Sequence, residues 1–212
     1  RVFIPGSSLK GSILSAILWF VLKEACSKDW SKKEEIQGLL SSRRNDQRSF
    51  DELLRFAFPL IAPGLRSVSD PKFLRWLDIR DSSMHLPRES LQISLAKVKG
   101  ARRGGEIPIF YECFKEGQTF ETEINCGLTR FSEKEILEIT HNFYSLVARK
   151  DGVNLSPATC LLRLGQGSTA YSTSLLLLAE DLGLRQYAIR PPRTRKRIAD
   201  DIPMGFVELV PA

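Results

Sequence analysis

From Leu9 to about Phe58 the apolar residues of this chain recur at helical spacing, and from Phe73 they alternate with polar ones in steps of two. A chain that changes period in this way has to pack helices against a sheet whose faces differ, which gives an α+β class with mainly antiparallel strands. Ser7 or Ser8 is placed to cap a first helix running to about Ala25, with Leu9, Ile13, Leu14, Ile17, Leu18, Val21 and Leu22 on its buried side. Shorter helices are expected at about 31–41 and 49–58, before a loop bounded by Pro59, Pro63 and Gly64. Strands are expected at Phe73–Arg80, Ser90–Lys99, Ile107–Lys115 and Gln118–Cys126, the last two as a hairpin about Glu116-Gly117. Ser132 and Glu135 form a capping box that opens a helix to about Arg149. A strand at Ala158–Leu164, a glycine turn, a helix over Tyr171–Asp181 and a closing strand at Met204–Val210 complete the reading. The 212 residues are expected to make one domain, with a helical insertion at about 28–72.

Two Gly/Ser turns stand ahead of apolar helical runs. One is Ile4-Pro5-Gly6-Ser7-Ser8-Leu9-Lys10-Gly11; the other is Arg163-Leu164-Gly165-Gln166-Gly167-Ser168. A helix N-terminus offers unpaired N–H groups and the positive end of the macrodipole, which suits a phosphate, and glycine lets backbone approach a ligand. Lys10, in the first turn, sits against the dipole and gains from an anionic partner. Neither turn is a nucleotide-binding signature. The second lacks the Gly-Lys-Ser/Thr ending of a P-loop, and Ala170 stands where GxGxxG needs its last glycine. Gly11, one turn into the first helix, points to close approach by another backbone or a ligand.

The net charge is +6. Its clustering says more than its size: Arg185, Arg190, Arg193, Arg195, Lys196 and Arg197 crowd one segment, and Lys97, Lys99, Arg102 and Arg103 another. A polyphosphate is the ligand such a pattern favours, with RNA as first candidate, although solvated loops explain the second cluster equally well. Asp78, Asp81, Glu112, Glu121 and Glu123 lie on strands or strand ends, yet nothing in their spacing forces them together. No Ser/His/Asp set is readable. The aromatics Trp76, Phe110, Phe114, Phe120, Phe143 and Phe206 are core candidates before they are stacking platforms. Cys26, Cys113, Cys126 and Cys160 lack CxxC spacing and read as free thiols of a cytoplasmic protein; with His85 and His141 as the only histidines, no metal site or cofactor is expected. No apolar run reaches membrane-spanning length.

The two turns, the segments Phe73–Ser82 and Tyr111-Glu112 to Gly117-Gln118-Thr119-Phe120, and Pro192-Arg193-Thr194-Arg195 ahead of Pro203-Met204-Gly205-Phe206-Val207 together resemble the RAMP superfamily of CRISPR–Cas proteins. Their order is most similar to the Csm-type subunits that cap the crRNA 3′ end in type III-A effector complexes. The resemblance implies a ferredoxin-like, RRM-related fold and a non-catalytic, crRNA-binding part in a ribonucleoprotein complex of antiviral defence. Partners implied are crRNA, neighbouring RAMP subunits, target RNA and recruited nucleases of crRNA maturation. Carried over by position, Ser7, Ser8 and Lys10 meet the guide backbone at the first helix. Arg163, Gly165, Gln166, Gly167 and Ser168 form a second contact, and Arg193, Arg195 and Arg197 are further phosphate partners. Gln166 stands where an aromatic residue is common in the family. Relatives also carry an N-terminal part with a first sheet strand, so such a strand is expected to be missing from a chain that opens at Arg1. Target-cleaving RAMP subunits hold a catalytic aspartate in that upstream part, so a RAMP endoribonuclease stays open as the alternative, as does an RNA-binding ferredoxin-like domain outside CRISPR systems.

Overall fold

A computed structural model describes residues 2–41, 47–65, 76–82, 88–99, 107–153, 160–165, 170–173, 175–184, 195–198 and 202–211. Its centre is helix α1 (Gly6–Lys28). Ile13, Ile17, Val21 and Leu22 on it have no exposed surface, and the Trp19 side chain is nearly as deep. A helix apolar on so many sides is stable only when surrounded. Helices α2 (Trp30–Ser41) and α3 (Gln47–Ile61) cover it with Ile36, Leu40, Ala57, Phe58 and Ile61, and α4 (Glu133–Lys150) covers it with Ile136, Ile139, Phe143, Tyr144 and Val147. The capping box of α4 is formed: the Ser132 hydroxyl accepts from the Glu135 N–H, and the Glu135 carboxylate accepts from the Ser132 N–H.

Helix α1 starts two or three residues earlier than its serines predict. Pro5, fixed at φ −62°, is its N-cap and makes no side-chain bond; instead the Asp81 carboxylate accepts from the Gly6 N–H at 2.7 Å. At its other end Asp29 leaves the helix and accepts from Ser31 N–H at 2.9 Å, which starts α2. Helix α3 continues through Pro59 for two residues, because a proline in the last turn forfeits one hydrogen bond without ending the helix at once.

All strand pairing is antiparallel, as alternation requires, but the described strands fall into three small sheets. Strands β1 (Asp78–Ile79) and β4 (Ile124–Asn125) form one; of the expected strand over Phe73–Arg80, residues 73–75 lie outside the described residues, and within 76–80 only β1 is strand. The expected hairpin about Glu116-Gly117 is replaced. Strand β3 (Ile107–Phe114) pairs with β2 (Leu91–Lys99) from Leu91↔Phe114 to Val98↔Ile107. The reason is that β2 offers a full-length apolar partner, whereas Gln118–Glu123 holds only Phe120 as a large apolar residue. Gly117, at φ +80°, turns the chain away after β3.

Strand β5 (Leu161–Arg163) pairs with β8 (Phe206–Glu208). Over the expected helix Tyr171–Asp181 the described residues form two short ones, α5 (Ala170–Thr173) and α6 (Leu176–Asp181), with residue 174 outside the described residues. Two strands were not anticipated. Strand β6 (Arg195–Ile198) pairs with β2, and β7 (Ile202–Pro203) with β6, giving a sheet ordered β3-β2-β6-β7.

Candidate nucleic-acid interface

The first turn and the described beginning of the second, Arg163–Gly165, are far apart in sequence and linked through a side-chain hydroxyl of α1. The Ser12 hydroxyl on α1 donates to the Arg163 carbonyl at the end of β5 at 2.9 Å, and the Tyr144 hydroxyl of α4 donates to the Ser12 carbonyl at 3.1 Å. One turn of α1 before Ser12, Ser7, Ser8 and Gly11 are exposed and Lys10 is half-buried, while Gly165 two residues beyond Arg163 is exposed at φ +69°. A left-handed residue there suits glycine and turns the chain off the strand.

Several residues do other work than their motif suggests. A Cβ on Gly6 would stand 2.2 Å from the Ile79 carbonyl oxygen, so this glycine is required by β1 lying against the helix start. The segment is further fixed by Ser82, whose hydroxyl accepts from Ile4 N–H at 2.9 Å and whose N–H donates to Ile4 O at 3.0 Å. The first N–H of α1 is thus already matched to a carboxylate. A Cβ on Gly11 would meet no atom of the described residues within 4 Å, so no described backbone approaches it.

Arg163 departs furthest from expectation. Its side chain is 2% exposed, ion-paired to the buried Asp151, and its Nε donates to the Met204 carbonyl at 3.0 Å; its guanidinium lies 4.7 Å over the Phe206 ring. The arginine fork is satisfied inside the protein, where it joins β5, the end of α4 and the approach to β8. It shapes the turn and does not face a phosphate. Beside it Gly205, at φ +87°, sits where a Cβ would come within 2.3 Å of the Leu164 carbonyl, and Leu164 N–H donates to Gly205 O at 2.8 Å. Close packing between β5 and β8 therefore explains the Gly205-Phe206 pair.

Gln166, Gly167, Ser168 and Arg193 lie outside the described residues. Arg195 and Arg197 stand on β6, at positions facing Lys99 and Lys97 of β2. The register thus sets part of each basic cluster, 195–197 and 97–99, on paired strands of one sheet, which sequence reasoning missed because a four-residue strand gives almost no periodic signal; Arg102, Arg103, Arg185 and Arg190 lie outside the described residues. The carboxylates do not converge: Asp81 holds Gly6, Glu123 pairs with Arg80 at 2.7 Å, and Glu112 faces Ile93 in a different sheet. His141 accepts from Leu161 N–H at 3.3 Å and serves the fold. Burial pushes the Tyr144 hydroxyl and the Cys160 thiol each up to about 12, which keeps both protonated. No helix among the described residues is long and apolar enough to cross a membrane.

No family model and no curated protein matches the sequence. Solved structures do. A chain of a Csm-crRNA-target RNA ternary complex from a type III-A CRISPR-Cas system aligns with a TM-score of 0.67 and 22% identity, over 99% of this chain and 73% of that one. Csm5 of T. onnurineus aligns with a TM-score of 0.57 and 22% identity, over 99% of this chain and 71% of its own. The mixed helical and antiparallel arrangement is thus the fold of Csm proteins, matching at the level of fold the resemblance carried by the sequence motifs.

Proposed function

We propose that this chain is a non-catalytic, crRNA-binding structural subunit of a type III CRISPR effector complex, acting in the cytoplasm. In this reading it grips the guide backbone toward its 3′ end, packs against neighbouring RAMP subunits, and supports crRNA maturation by recruited nucleases. The observation that carries the reading is the Ser12–Arg163 hydrogen bond, which sets the exposed start of α1 beside the Gly165 turn in a chain with a Csm fold. Ser7, Ser8 and Lys10 then form one contact, and Gly165 with Gln166, Gly167 and Ser168 the other. Arg193, Arg195 and Arg197 extend the cationic surface. The domain is read as a single ferredoxin-like unit with the helices of 28–72 inserted. The engagement of Asp81 and Glu123 in structural contacts favours binding over catalysis.

Phosphate contacts dominate such binding, so it is largely independent of sequence and weakened by salt. Lys10→Ala should lower crRNA affinity for all sequences alike and reduce the slope of log affinity against log salt by about one. A filter-binding titration across salt concentrations checks this; an unchanged slope removes Lys10 from the interface. Incubating the protein with matched RNA, with and without magnesium, tests the endoribonuclease alternative, which predicts cleavage.

A further inference from the structure

The Gly165 turn is anchored to more than one element. The Arg163 guanidinium, ion-paired to Asp151 at the end of α4 and bonded to the Met204 carbonyl, fixes the last residue of β5 from within. The Leu164 N–H donates to the Gly205 carbonyl and ties the turn to the approach to β8. The Arg163 carbonyl serves α1 instead: it accepts from the Ser12 hydroxyl at 2.9 Å.

Ser12 is itself held. The Tyr144 hydroxyl, on a side chain 1% exposed, donates to the Ser12 carbonyl at 3.1 Å, so α1 cannot slide or turn about its axis without breaking a buried contact. Tyr144 stands edge-on to Phe143 at 5.0 Å between centroids, and Phe143 packs on Trp19 of α1 at 5.6 Å. A spacing of four sets Ser8 on the same face of α1 as Ser12, one turn nearer the helix start. Ser8 is exposed and Ser12 half-buried, so the face that meets solvent continues into the face that grips β5. The helix does not need a hydroxyl at this place, because serine is a poorer helix former than alanine. What the hydroxyl supplies is register between the first turn of α1 and the Gly165 turn before any ligand arrives. Preorganisation of this kind strengthens binding by removing an ordering cost, without adding a contact.

We propose that Ser12 is a positioning residue of the nucleic-acid interface: it touches no RNA, and it sets affinity by holding the start of α1 in register with the Gly165 turn, with Tyr144 fixing Ser12 from behind. The assignment rests on the RNA-binding reading above and adds to it the hydrogen bond on which a two-turn grip depends.

The test titrates crRNA with the parent chain, Ser12→Ala, Ser12→Thr, Lys10→Ala and Ser12→Ala/Lys10→Ala across salt concentrations. Binding is measured well below the lowest melting temperature of the set, so that lost stability alone does not move it. Ser12→Ala should weaken binding about three- to tenfold, the range one net hydrogen bond supplies, and keep the parent's salt slope because no phosphate contact is lost. Lys10→Ala should lower that slope. Ser12→Thr, which keeps the hydroxyl, should bind as the parent does. In the double variant the two losses should fall short of adding, since register matters less once a contact it serves is gone. Ser12→Ala at parent affinity makes the bond purely structural, and Ser12→Ala with a lowered slope puts Ser12 itself on a phosphate; either overturns the positioning role and leaves the grip reading standing. Losses that add in full, or a Ser12→Thr that melts as the parent yet binds as weakly as Ser12→Ala, overturn it as well. A parent chain that binds no crRNA brings down both readings.

Discussion

Arg163 shows how a residue of the right type in the right motif can serve a different end. Removing it would leave the Asp151 carboxylate buried and unpaired, so Arg163→Ala should lose about 3–5 kcal/mol of stability, read by denaturant unfolding. Replacing both partners by apolar residues, as in Asp151→Leu/Arg163→Met, should recover most of that loss, since a buried ion pair scarcely outweighs its own desolvation. Tyr144 makes a second prediction at this scale. Its hydroxyl titrates near 10 when unfolded and at about 12 in the fold, so the native state holds its proton while the unfolded state releases it. Stability should therefore fall as pH rises from 10 to 12, and Cys160 adds to that fall from about 9 upward. Tyr144→Phe should flatten the Tyr144 part of the decline in thermal melts taken across this range. The motif arginine was legible in the sequence and its burial was not, because Asp151 lies beyond a helix end whose contacts no local pattern reveals.

Among the elements, helix α1 was the most legible, because its apolar residues recur over many turns. Its starting point was not, because the cap comes from Asp81 in another segment. Gly6→Ala should cost about 1–3 kcal/mol by forcing β1 away from the helix start. Gly11→Ala, in open space inside the same helix, should gain about 0.5–1 kcal/mol. Urea unfolding of the two variants would show opposite signs; equal effects would mean that Gly6 is not held by β1. The hairpin was misassigned for a related reason. Turn signals at Glu116-Gly117 are local, but strand pairing is decided by which partner offers more matched apolar positions, and β2 lies farther off in sequence. The pairing of β6 with β2 was likewise invisible.

At the scale of the whole molecule, a helical core around α1 fixes the start of that helix beside the end of β5. The α+β class followed from hydrophobic period. Which side chains face outward depended on long-range packing, and the exposed Phe110 is the plainest example: read as core, it stands on the surface. The central claim is that the start of α1 and the Gly165 turn hold one RNA backbone between them. Ultraviolet cross-linking of the chain to crRNA, followed by mass spectrometry of the adducted peptides, tests it most directly. Adducts should map to peptides holding Ser7–Gly11 and to peptides holding Leu164–Ser168, and Lys10→Ala should reduce both. Adducts that avoid both peptides while crRNA remains bound would contradict the claim.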